Sequence, residues 1–170
     1  MSMMTTATKT AVLSGNLPCD VRNLTGERGL LDFALHAAAN SALANSAMPV
    51  WRDTQAQPLS TRMMLSLLSY CYASAIYGSR DIERAVQTDR TVRYLCARQY
   101  PAWLDIRRFR RAHRHSIQDS LVATIKQVWS SFLAEGPQVT DQAEIDQEIR
   151  TLAGSRIETA IIMDRAELDL

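Results

Sequence analysis

Between Leu59 and Tyr77 the chain carries a run that is apolar on nearly every side of a helix, and such a helix has to lie inside a larger structure. Met64, Leu67, Leu68, Cys71, Tyr72 and Ala75 make a wide apolar face, Pro58 precedes the run, and Ser60 is a suitable N-cap. Ser66, Ser69, Ala73 and Ser74 are small enough to let other helices approach closely. The run reads as the core helix, its methionines and tyrosines serving packing, with Gly78 placed to end it as a left-handed C-cap. The rest of the chain must cover it. Only five prolines and six glycines occur in 170 residues, against abundant Ala, Leu, Arg and Gln, so the covering elements should also be helices. The expected fold class is all-α: a helix-turn-helix-like helical bundle with one long helix and a C-terminal acidic helix.

Taken in order, residues 1–24 are polar and read as a flexible arm, residues 25–135 as a helical domain, and residues 136–170 as an acidic helical tail. Thr25-Gly26-Glu27-Arg28-Gly29 is a turn-like entry to an Ala-rich helix from Leu30 to about Met48, ended by Pro49. Val50 to Pro58 is a connector containing Trp51. After the core helix, Ser79 is placed to cap a short helix, Arg80 to about Thr88, with Asp81 and Glu83 in its first turn. Asp89 caps another, Arg90 to Ala97, and Tyr100-Pro101 interrupts the chain. Short helices joined by tight turns are helix-turn-helix grammar. A long helix then starts at Asp105, with Ile106, Phe109, His113, Ile117, Leu121, Ile125, Val128 and Phe132 at helical spacing, until Gly136-Pro137. A final helix, about Gln142 to Arg165, carries Ile145, Ile149, Leu152, Ile157 and Ile161, with Gly154-Ser155 as a kink or break.

The formal net charge is only +1, yet eleven arginines and no lysine lie between Arg62 and Arg114, facing four acids. From Gly136 onward three arginines meet eight acids. A basic middle with an acidic end implies a polyanion partner, an intramolecular mask over the basic face, or both. Arg107, Arg108, Arg110 and Arg111 fall in the first turns of the long helix, where cations oppose the helix dipole at roughly 0.3–1 kcal/mol each. Such placement becomes favourable when a phosphate arrives, since guanidinium forks and free backbone N–H groups both seek anions. The candidate DNA-binding residues are therefore Arg80, Arg84, Arg107, Arg108, Arg110, Arg111 and Arg114.

Other chemistries find little support. Cys19, Cys71 and Cys96 fit no metal spacing, and Cys71 and Cys96 sit in apolar helical patterns as reduced structural thiols. His113 and His115 flank Arg114 on a helix and point apart. No Gly-rich phosphate loop or nucleophile elbow occurs. No catalytic residue, cofactor or metal site is expected. The N-terminus lacks a signal-peptide core and no apolar run can span a bilayer, so no membrane partner and a cytoplasmic location are expected.

From Leu59-Ser60-Thr61-Arg62-Met63-Met64 through Ile76-Tyr77-Gly78-Ser79-Arg80-Asp81-Ile82, Val92-Arg93-Tyr94-Leu95 and Arg107-Arg108-Phe109-Arg110-Arg111-Ala112-His113, the chain resembles the N-terminal helical domain of insertion-sequence transposases. The resemblance implies an all-helical module that binds the ends of a mobile element, usually ahead of an RNase H-like catalytic domain using three acidic residues and divalent metal. The family's Asp-His pair after the proline is Ala102-Trp103 here. Past Gly136 there is an acidic helical tail and no strand pattern, so DNA binding carries over and strand transfer does not.

Two functions follow as expectations. The first is a non-catalytic, transposase-derived DNA-binding regulator or remnant. The second is a helical protein–protein interaction module that does not bind DNA, motivated by the stripe Ile117, Leu121, Ile125, Val128 and Phe132, which would also serve a homodimer. The two are compatible, because a dimer would read DNA with two-fold symmetry.

Overall fold

The computed structural model describes residues 17–41, 59–133 and 142–168, and among them there are seven helices and no strand. They are α1 (Arg22–Ala39), α2 (Thr61–Ala73), α3 (Ser79–Thr88), α4 (Arg90–Leu95), α5 (Trp103–Ala112), α6 (Arg114–Leu133) and α7 (Gln142–Leu168). The protein is an all-α bundle. None of these helices is long and apolar enough to cross a membrane. The expected continuation of the first helix to Met48, the Trp51 connector, most of the N-terminal arm and the Gly136-Pro137 stop lie outside the described residues.

α2 is the centre of the bundle. Every residue in it except Arg62 is buried, and Ser60 accepts a hydrogen bond from Met63 N at 3.3 Å as its N-cap. α1 and α6 pack on α2 and on each other, α7 lies along α6, and α3 bridges α4 and α5. The small residues of α2 do allow close approach: the buried Ser69 hydroxyl donates to that of Ser120 on α6 at 2.8 Å. Cys71 and Cys96 are buried and unbridged, and burial pushes the Cys71 thiol well above its ordinary range. The end of the segment read as an arm is tied down. Val21 is fully buried, and its N–H donates to the Ala73 carbonyl at 3.0 Å.

Several boundaries differ from expectation. α1 begins at Arg22 and kinks at Gly26, where φ is 72° and ψ 166°, so the turn-like residues interrupt a helix already begun. α2 stops at Ala73, and the left-handed residue beyond it is Ala75 (φ 61°), while Gly78 has φ −63°. The Ile76 N–H closes the end by donating to the Cys71 carbonyl at 2.8 Å. α5 starts at Trp103; Asp105 is its third residue and accepts from Ala102 N at 2.9 Å, so it works from inside the first turn. The expected single long helix is two helices, broken at His113 (φ −129°, ψ 32°). α7, by contrast, runs unbroken through Gly154-Ser155. A Cβ on Gly154 would stand 3.3 Å from Gln118 Nε2, so this glycine marks close packing against α6.

Candidate anion-binding site

The break at His113 changes the electrostatics of the arginine run. Arg110 and Arg111 fall in the last turn of α5, where the helix dipole favours cations, and not in the first turns of a long helix. The expected dipole conflict is therefore absent for these two. Arg114 opens α6.

Arg110 is buried, as is its partner, Asp164 of α7. The guanidinium bonds the Asp164 carboxylate through Nη2, and through Nη1 donates to Tyr72 Oη at 2.9 Å and Ser79 Oγ at 3.3 Å. The same carboxylate accepts from Ser79 N at 2.8 Å and Ser79 Oγ at 2.6 Å, while Arg107 Nε lies 3.7 Å away. Ser79 is thus not the cap of α3: it is the first helical residue, and Asp164 supplies the capping oxygen from another helix. A carboxylate at a helix N-terminus between two guanidinium groups takes the arrangement that a bound phosphate would take. Burial opposes the charge on Arg110, but Tyr72 and Asp164 outweigh it and hold its pKa above the ordinary arginine value. Burial also raises the Tyr72 phenol to about 12, against the pull of Arg110.

Around this node Arg107, Arg110, Arg111, Arg114 and Arg165 line a cleft of about 420 Å³ with Ile161 and Asp164. Four of the seven arginines expected at the site meet here. Arg80 is contiguous with them, because Arg80 and Arg107 stack on the Trp103 ring, 4.9 and 5.6 Å from its centre. Arg84 pairs with Asp81 along α3 at 3.1 Å, and Arg108 is exposed on α5 outside the cleft. Arg110 is the exception to the expected role: buried between Tyr72, Ser79 and Asp164, it is scaffold.

The acidic helix lies along this basic face. Besides Asp164, Glu158 pairs with Arg114 and Glu167 with Arg80 at 3.6 Å, both at partly exposed side chains. Intramolecular masking by the tail is thus present. Arg111 and Arg165 have no carboxylate partner among the described residues.

Sequence reasoning missed Arg165, Asp164 and Arg156. The signal was available: Arg156 and Asp164 continue the buried stripe Ile149, Ala153, Ile157, Ala160, and a charge on an apolar stripe needs a buried partner. Arg156 donates to the carbonyls of Tyr72 (2.6 Å), Cys19 (2.7 Å), Ala73 and Pro18 (both 3.2 Å). The stripe proposed for a homodimer is already used. Ile117, Leu121, Ile125 and Val128 are fully buried in the chain's own core, and only Phe132, 40% exposed, remains at the surface. A dimer through the four isoleucine, leucine and valine positions would require α6 to leave that core. No three His, Cys, Asp or Glu side chains converge as a metal requires among the described residues.

Fold and site together define an all-helical protein with an arginine-lined cleft. Compared with known proteins, the chain matches no family model, no curated protein and no solved structure.

Proposed function

We propose that the chain binds the phosphate backbone of DNA along the arginine face of α3, α5, the α5–α6 corner and the end of α7. The observation that carries this reading is the cleft in which five arginines surround a single carboxylate. A recess whose lining carries a clear excess of positive charge focuses the field on a polyanion, and guanidinium groups grip phosphate in bidentate fashion. Arg111 and Arg165 meet phosphate first. Arg114 and Arg80 join by exchanging Glu158 and Glu167 for phosphate, at small cost because exposed ion pairs contribute only about 0–1 kcal/mol. Arg84 and Arg108 widen the footprint. Arg110 and Asp164 stay paired and hold the face in shape.

Such a protein is a non-catalytic DNA-binding regulator or remnant, in keeping with its resemblance to transposase N-terminal domains. The test is fluorescence anisotropy with a random-sequence duplex. Binding is expected at about 50 mM salt and should fall steeply by about 200 mM. No binding at the lower salt would overturn the proposal and leave the arginine face as an intramolecular seat for α7.

A further inference from the structure

A second cleft, sharing no residue with the first, lies where α4 leads into the loop before α5. It has a volume of about 610 Å³ and is lined by Arg90, Arg93, Tyr94, Arg98 and Tyr100 over Leu35, Leu95 and Ala97. Three arginines line it and no acid does. Both tyrosines are turned out to solvent, Tyr94 at 68% exposure and Tyr100 at 52%, although buried positions are open to tyrosine elsewhere in the chain, as Tyr70 and Tyr72 show.

The loop that presents these groups is held in one shape. Gln99 Oε1 accepts from Ser60 N at the head of α2 at 2.9 Å, and Gln99 N donates to the Cys96 carbonyl at 2.8 Å. On either side of this anchor Arg98 and Tyr100 take left-handed backbone angles, φ 66° and 43°, as does Ala97 at 46°. Non-glycine residues adopt that region only when the surroundings impose it. Arg93 is oriented by donating to the Gln87 carbonyl.

We propose that this cleft binds single-stranded nucleic acid, its tyrosines stacking on unpaired bases while Arg90, Arg93 and Arg98 take the flanking phosphates. Exposed aromatic rings between guanidinium groups fit a ligand that offers π-faces and negative charge alternately. A duplex keeps its base faces stacked inside and offers only the charge. An acidic peptide also offers charge but gives the two rings nothing to stack on. The cleft is pre-shaped, so little ordering opposes binding.

The test uses the full chain and a labelled oligothymidylate of about a dozen nucleotides, with an oligouridylate, an abasic strand of equal length and an oligoglutamate as comparisons. Tyr94→Leu and Tyr100→Leu should each weaken binding of the single strand about tenfold, and the abasic strand should bind the wild type correspondingly less well. Arg93→Gln should flatten the salt dependence by about one phosphate contact. Preference between the two pyrimidine strands assigns the ligand to RNA or DNA; either supports the proposal. Equal binding of abasic and normal strands, unchanged affinity in both tyrosine variants, or binding of the oligoglutamate alone would overturn it. Both tyrosines are largely exposed, and circular dichroism checks that the variants fold. Duplex affinity in the tyrosine variants should not change. In the wild type, absence of duplex binding with single-strand binding present would count against the arginine face of α5 alone, and the reverse against this cleft alone.

Discussion

Arg156 and Asp164 stand eight residues apart on the buried side of α7 and serve opposite helix ends. Arg156 donates to the last carbonyls of α2, and Asp164 accepts from the first N–H of α3. The cation meets the negative end of one helix dipole and the anion the positive end of the next. Through these two residues the acidic tail holds the α2–α3 turn in place, and with it the arginine that the turn supports.

Replacing Asp164 by Asn should therefore destabilise the fold by about 3–5 kcal/mol, because Arg110 is left buried without its counter-charge. Arg110→Met should cost a comparable amount. The double variant Asp164→Asn with Arg110→Met should lose clearly less than the two single losses together, since neither charge then remains buried alone. Urea denaturation of the four proteins measures this, and strictly additive losses would contradict the coupling.

Ala75 carries a backbone conformation that suits glycine, with φ at 61° just past the end of α2. Ala75→Gly should raise stability by up to about 1 kcal/mol, the relief of the left-handed strain exceeding the added freedom of the unfolded chain. A fall in the denaturation midpoint would show that the alanine methyl contributes packing that outweighs its strain.

Gly154 offers the opposite case. It lies inside α7, where glycine costs roughly 1 kcal/mol relative to alanine. An added Cβ meets only Gln118 Nε2, the far end of a flexible side chain, at 3.3 Å. Gly154→Ala should stabilise by about 0.5–1 kcal/mol, whereas Gly154→Leu should separate α6 from α7 and destabilise. Thermal midpoints of the two variants should move in opposite directions.

His113 forms the corner between α5 and α6, its ring 4.7 Å from that of Phe109, and burial lowers its pKa below the ordinary histidine value of 6.5. The unfolded chain then binds the proton more readily than the folded one. Its neutral form imposes no penalty above about pH 6.5, and stability falls as the pH drops from there through the lowered folded value. In urea titrations across that window, His113→Asn should lose this part of the pH dependence. An identical pH profile in wild type and variant would place the titration elsewhere.

The core was legible because α2 is apolar on nearly every side and bounded by Ser60, and a helix of that kind has only one place in a bundle. The break at His113 was hidden because the apolar period Ile106, Phe109, Ile117, Leu121 continues across it without a glycine or proline. The hydrogen-bond ladder also nearly continues, with His113 N bonded to the Phe109 carbonyl at 2.9 Å and Ile117 N to that of His113 at 3.0 Å. The charge asymmetry pointed correctly to contact between the basic face and the acidic helix. Which arginine would be buried depended on Asp164, 54 residues away from Arg110, and local spacing carries no information about such a pairing.

The central claim is that the arginine face divides into scaffold and anion-binding members. The most direct measurement is the salt dependence of duplex binding for the wild type, Arg111→Gln and Arg165→Gln, with folding stability measured on the same samples. Each substitution should lower the log–log salt slope by about one unit while leaving the denaturation midpoint nearly unchanged. Slopes identical to wild type in both variants, or no duplex binding by the wild type at low salt, would contradict it.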